Sequence, residues 1–262
     1  MLTNIKALIL DMDGVLWRDD TPIGDLPAIF ARIREHGLKV ALATNNGSKT
    51  VDQYMEKFSG FGVTLEAWQI VTSALATANK LAKDFPNGGP VFVVGENGTQ
   101  RALEGRSFQP ISDPQDETRP VAVVAGIDRY ISYDKLRRAT LHIRTGVPFY
   151  GTNPDRTFPT PQGLVPGAGS ILAAIEAATD VKPIIIGKPA PTMMYMALEK
   201  LGTQPKETLV VGDRLETDIA AGQAAGCKTA LVLSGVSTNK QAEAWKPAPE
   251  FIVKELSDLF VR

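Results

Sequence analysis

Asp11 and Asp13, separated by Met12 and followed by Gly14, close the apolar run Leu8-Ile9-Leu10. A short apolar run ended by turn chemistry reads as a buried strand of a parallel sheet, so Asp11 falls where the strand leaves the sheet. Open α/β sheets bind ligands at that edge. Paired carboxylates placed there suit a hard divalent cation with oxygen ligands, magnesium above all. Taken alone, an Asp-x-Asp pair is more often two solvated turn residues. Three more strand-like runs end in polar residues and change that balance: Thr44-Asn45-Asn46-Gly47-Ser48, Gly187-Lys188-Pro189, and Gly212-Asp213-Arg214 with Asp218 beyond it. In a parallel sheet all such ends face one side. Carboxylates, one ammonium, a hydroxyl and free loop amides then meet, and that set suits phosphoryl transfer.

Each residue has a chemistry it can supply. Either Asp11 or Asp13 can be the nucleophile, because a carboxylate can accept a phosphoryl group to give an acyl-phosphate that water hydrolyses. The other then works as general acid and base, which calls for a carboxyl whose pKa is raised by its neighbours. Thr44 can donate its hydroxyl to a phosphate oxygen, and Asn45 and Asn46 their backbone N–H groups at the approach to a helix. Ser48 is the better-placed cap for that helix. Lys188, beside Pro189, has a short rigid approach and can balance the charge of nucleophile and phosphate, whereas a lone lysine is ordinarily a solvated residue. Asp213 is the remaining metal ligand. Asp218, near the first turn of the next helix, reads as a residue behind the ligands, stabilising the helix dipole or holding a metal-bound water. His36 precedes a helix-ending glycine and His142 lies inside a helical pattern, so both read as structural or exposed.

The elements that must position these groups alternate. A strand is expected at about 6–10, a helix at about 25–36 with Gly37 as its C-terminal cap, a strand at 39–43 and a helix at about 48–59. Such βαβα order predicts a parallel sheet with right-handed crossovers. The middle offers strand-like runs at 90–95 and 120–126, a polar, turn-rich stretch at 104–119, and a helix from the N-cap Ser132 towards Gly146. Residues 151–169 read as an ordered loop leading into a helix. The opening rhythm resumes with a short third core strand at 184–186, a helix at about 191–201, a strand at 208–212, a helix at about 216–225 and a strand at 229–233, before a loop, a final strand and a short helix. The expected class is α/β: a Rossmann-like parallel-sheet core, residues 1–74 and 183–262, with helices on both faces and an α/β cap inserted at 75–182.

Composition narrows the function classes. The 262 residues include 28 Lys plus Arg against 29 Asp plus Glu, for a formal charge of −1, with no basic cluster interleaved with aromatics. Nucleic acid is therefore not an expected partner. Cys227 stands alone and cannot form an internal disulfide. No signal segment or bilayer-length apolar stretch is evident, so the expectation is a cytoplasmic protein without a membrane partner.

The ordered set Asp-Met-Asp-Gly-Val-Leu, Thr-Asn-Asn, Gly-Lys-Pro and Gly-Asp-Arg-Leu-Glu-Thr-Asp resembles the motifs of the haloacid dehalogenase-like hydrolases. Gly151-Thr152-Asn153-Pro154-Asp155, Val165-Pro166-Gly167-Ala168-Gly169 and Leu231-Val232-Leu233-Ser234-Gly235-Val236-Ser237 are similar to the NagD-like, 4-nitrophenylphosphatase branch. The resemblance implies Asp11 as nucleophile and Asp13 as acid and base. It also implies magnesium on the Asp11 carboxylate, the Asp13 carbonyl and Asp213, with phosphate held by Thr44, Asn45 and Lys188. A large cap between the second and third motifs, a small phosphorylated metabolite as substrate, and a homodimer through the cap belong to the same implication. Phe158 falls where related phosphatases can reach the substrate, or else anchors its loop to the cap core. A phosphomutase sharing the intermediate and a non-catalytic binding protein that kept the fold are the competing classes, and an intact site argues for chemistry.

Overall fold

The computed structural model describes residues 2, 4–160 and 162–260 of the chain, so Pro161, inside the expected 151–169 loop, lies outside the described residues. The chain forms two compact units: residues 1–44, 52–71 and 188–262 make the first, and residues 45–51 and 72–187 the second.

The first unit is built on a parallel sheet that, among the described residues, runs in the order Phe251–Val253, Lys228–Val232, Thr208–Gly212, Ala7–Leu10, Lys39–Thr44, Ile70–Thr72. Its central strands are apolar on both faces because both are covered: every residue of Ala7–Leu10 and Thr208–Gly212 is buried. Each fully buried Leu or Ile there contributes about 1.5–3 kcal/mol. The register pairs Leu10 with Val211 on one side and with Leu42 on the other. Asp11 therefore leaves the sheet level with Gly212 and Ala43, one residue before Asp213 and Thr44, and its N–H is held by the Val211 carbonyl at 2.9 Å.

Helix Leu26–Glu35 begins where Asp25 accepts from the Ala28 N–H at 3.0 Å and ends with His36 bonded to the Arg32 carbonyl and Gly37 at φ +66°. The cap position is thus His36, one residue before the expected Gly37, which follows it in the left-handed conformation, so His36 is structural. The expected helix at 48–59 starts only at Val51. Ser48 does not cap it: the Ser48 N–H and hydroxyl both donate to Asn46 Oδ1, at 3.1 and 2.7 Å. A serine two residues behind an asparagine finds a local turn partner before it finds a helix end.

The second unit carries a parallel sheet in the order Ile184–Ile185, Phe149–Gly151, Ala122–Ala125, Gly89–Val94, Phe108–Ile111. Phe92, Val123, Phe149, Leu172 and Ile175 centre its core. Helix Tyr133–Arg144 starts at Ser132, whose hydroxyl accepts from the Lys135 N–H. Between 151 and 169 the chain forms a hairpin, Thr157–Thr160 against Gly163–Pro166, with Phe158 opposite Val165. One expectation fails here. The run at 184–186 is not a core strand: Ile184 and Ile185 pair with Tyr150 and Gly151 in the second sheet. A run of a few β-branched residues specifies a strand but not its partner.

Candidate active site

Lys188 is the centre of the site. Its Nζ lies 2.5 Å from Asp11 Oδ1, 2.6 Å from Asp218 Oδ1 and 2.9 Å from the Ala43 carbonyl, with the side chain 3% exposed. Although no core strand precedes it, the ammonium reaches the sheet edge between Asp11 and the end of Lys39–Thr44. Burial alone would lower its pKa, but the Asp11 and Asp218 charges more than reverse that, so it stays a cation.

Asp213 follows strand Thr208–Gly212. Its Oδ2 accepts from the Val236 N–H at 2.8 Å, and its carbonyl from the Ser237 N–H at 3.0 Å. The loop 234–237 fits this closely only because it carries Gly235: a Cβ there would stand 1.9 Å from Asp213 Oδ2. Asp218 reaches the site by an unusual route. Leu215–Ile219 is a π turn, in which the Ile219 N–H bonds the Arg214 carbonyl at 3.2 Å, and Asp218 Oδ2 accepts from the Arg214 N–H at 3.0 Å. The wider turn aims its carboxylate at Lys188, and such insertions are common at functional sites.

One oxygen each from Asp11, Asp213 and Asp218 lie within 4.8 Å of one another. Burial drives the Asp11 carboxyl well above the ordinary carboxylate range; Lys188 pulls it down, and Asp218, Asp213 and Asp13 add to the rise. Burial and the Asp218 charge push Asp213 up to about 7, against the pull of the Val236 N–H. Two buried carboxylates and a largely buried third with one ammonium leave negative charge in excess, which is the condition that favours a bound cation.

Asp13 is exposed and turned to a different partner: Trp17 Nε1 donates to its Oδ1 at 2.9 Å. Thr44 is buried and its side chain is hydrogen-bonded with the Tyr54 hydroxyl. Burial and the Asp13 charge hold Tyr54 above its ordinary pKa, so it remains a neutral phenol. Asp11, Asp13, Thr44, Lys188, Asp213 and Asp218 all belong to the first unit. Asn45 and Asn46 belong to the second, where the Asn45 amide donates to both Asp155 oxygens at 3.1 and 3.3 Å and its carbonyl accepts from Ser73 and Asn153. Tyr54, Trp17 and the Gly235-Val236 turn escaped the sequence reading. Only the turn had a signal, its place in a quoted motif.

His142 is buried against Phe92, with the ring centroids 5.4 Å apart, and burial lowers its pKa. It takes no part in the cluster.

Two families match the chain: haloacid dehalogenase-like hydrolase over residues 8–109, and HAD-hydrolase-like over residues 185–259. The chain is 36% identical over 279 residues to the chloroplastic phosphoglycolate phosphatase 1A of Arabidopsis thaliana, covering 98% of this chain and 77% of that one. It superposes on the 4-nitrophenylphosphatase of Thermotoga maritima with a TM-score of 0.90 at 33% identity, covering 99% and 97% of the two chains. With the glycerol phosphate phosphatase of Mycobacterium tuberculosis, solved in complex with magnesium, the TM-score is 0.91 at 32% identity, over 99% and 78% of the chains.

Proposed function

We propose, for a chain that belongs to the haloacid dehalogenase-like hydrolases and within them to the NagD and 4-nitrophenylphosphatase branch, a phosphatase reaction that proceeds through an aspartyl-phosphate on Asp11. The protein is a phosphatase of small phosphomonoesters. The observation that carries the mechanism is Lys188 between Asp11 and Asp218 at the sheet edge, with Asp213 in the same cluster.

Asp11 attacks phosphorus through a carboxylate oxygen, and the bond to the leaving oxygen breaks as Asp13 gives that oxygen a proton. Asp13, now a carboxylate, takes a proton from the water that attacks the acyl-phosphate and frees Asp11. Lys188 balances charge on Asp11 and on the phosphate, Thr44 donates its hydroxyl, and Asn45 and Asn46 offer backbone N–H groups to the phosphate. Asp218 holds Lys188 in place from behind.

The excess of buried carboxylate charge fits a magnesium ion held by the Asp11 and Asp213 carboxylates and the Asp13 carbonyl. Bound there, the ion supplies positive charge to the phosphate oxygens and keeps Asp11 ionised. Candidate substrates are 4-nitrophenyl phosphate, phosphoglycolate, glycerol phosphate and sugar phosphates, the kinds of ester named for the relatives. A homodimer through the inserted unit and a cytoplasmic location complete the reading, which takes support from the family resemblance. No helix among the described residues is long and apolar enough to cross a membrane.

Phosphate release from these esters, with magnesium and with chelator, tests the proposal. Release that needs magnesium and ranks the esters is the expected result; no release from any ester would sink it. Metal dependence should also show in stability. Asp213 binds its proton more tightly folded than unfolded, where its pKa is near 3.8. The folded state therefore holds an extra proton between about pH 4 and about pH 7, and stability falls as pH rises through that window. In chelator the thermal midpoint should drop from about pH 5 to about pH 8, and magnesium should restore it only at the upper pH. A midpoint indifferent to both would refute the metal assignment.

A further inference from the structure

We propose that Trp17 is a positioning residue for Asp13: its indole N–H commits one carboxylate oxygen and leaves the other to carry the transferred proton. The inference rests on the reading of Asp13 as acid and base, and extends it to a buried side chain four residues along the chain.

Asp13 is exposed, and an exposed carboxylate samples several rotamers. Trp17 removes that freedom because its own position is fixed. The ring is 1% exposed, meets Phe58 edge-on with centroids 4.9 Å apart and lies 5.8 Å from Phe61. The Lys57 ammonium sits 4.6 Å from its centroid, anchored by the Asp19 carbonyl at 2.5 Å and Asp20 Oδ1 at 3.1 Å. Behind the side chains the Gly14 N–H bonds the Trp17 carbonyl at 2.7 Å, and the Leu16 N–H bonds the Met12 carbonyl at 2.8 Å, which closes the turn. A buried indole N–H needs an acceptor, and here the acceptor is the reacting carboxylate instead of a backbone carbonyl.

The consequence is an asymmetry between the two oxygens of Asp13. Oδ1 accepts from Trp17, so the proton of the acid form sits on Oδ2. As the phosphorus–oxygen bond to the leaving group breaks, its electron pair stays on the leaving oxygen and the Oδ2 proton moves there. In the second half, Oδ2 takes a proton from water as the water oxygen bonds phosphorus and the bond from phosphorus to Asp11 breaks.

The test replaces Trp17 by β-(3-benzothienyl)alanine, which keeps the ring shape and lacks the N–H, and separately by Phe. The value of kcat/KM reports steps through departure of the leaving group. For 4-nitrophenyl phosphate, whose leaving group needs no proton, kcat/KM should stay within about threefold, while for glycerol phosphate it should fall by at least about tenfold. Hydrolysis of the acyl-phosphate still needs the base, so kcat should fall for both esters. Equal losses in kcat/KM for both, or none, would overturn the proposal. Asp13→Asn run in parallel separates the two readings. If it penalises glycerol phosphate selectively and the Trp17 replacements do not, positioning fails and the acid assignment stands. If Asp13→Asn shows no such selectivity, the acid assignment fails and takes the positioning role with it.

Discussion

Asp11→Asn is expected to abolish phosphate release, with turnover down by at least about four orders of magnitude, the scale seen when a nucleophile alone is removed. An amide cannot form the acyl-phosphate, and Asp13 has one oxygen held by Trp17 at 2.9 Å and the other assigned to proton transfer. The same variant should melt no lower than the parent in chelator. Burial and three neighbouring carboxylates hold the Asp11 pKa above its unfolded value despite Lys188, so ionised Asp11 opposes folding at neutral pH and its neutral replacement relieves that. Phosphate release and a thermal melt on one preparation check both statements. Measurable turnover would remove the nucleophile assignment, and a much lower midpoint would show that the Asp11 charge is what keeps Lys188 in place.

Lys188→Met should move stability the opposite way. Removing the ammonium strands Asp218 and Asp11 without their shared partner in a buried site, and breaking a buried ion pair from one side costs roughly 3–5 kcal/mol. Loss of its charge on the phosphate should slow turnover by about a hundredfold to a thousandfold, the usual effect of deleting one such electrostatic contact. The double variant Asp11→Asn with Lys188→Met should be less destabilised than the single lysine replacement, because one of the stranded charges is gone. Denaturant melts of the three proteins, with initial rates for the two single variants, decide the matter. A Lys188→Met protein as stable as the parent would mean that the ammonium is solvated and not held between carboxylates.

Much of the sheet edge is legible in the sequence. Strands Ala7–Leu10, Lys39–Thr44 and Thr208–Gly212 are apolar on both faces and end in polar residues, and that pattern exists only where a parallel strand meets the ligand edge. The break in rhythm at the middle of the chain likewise signalled a second parallel sheet, inserted in the sequence between strands of the first. Other features were hidden for physical reasons. Ile184–Ile185 carries strand propensity without a partner preference, so its sheet could not be chosen. Phe108–Ile111 contains Pro110 and looked like turn sequence, yet a proline is tolerated on an edge strand. Asp218 read as the first turn of an ordinary helix, since nothing in Leu-Glu-Thr-Asp-Ile marks a π turn. Trp17 carries no signal in the sequence, because one ring nitrogen leaves no periodic mark, and its bond to Asp13 shows only in the structure.

The π turn at Leu215–Ile219 makes chain length, as well as residue identity, a determinant of the site. Deleting one residue from 215–219 would restore ordinary helical spacing and swing each following side chain by about 100°. Asp218 would then no longer meet Lys188, so that ion pair depends on the residue count between Gly212 and Ala220 as much as on the carboxylate itself.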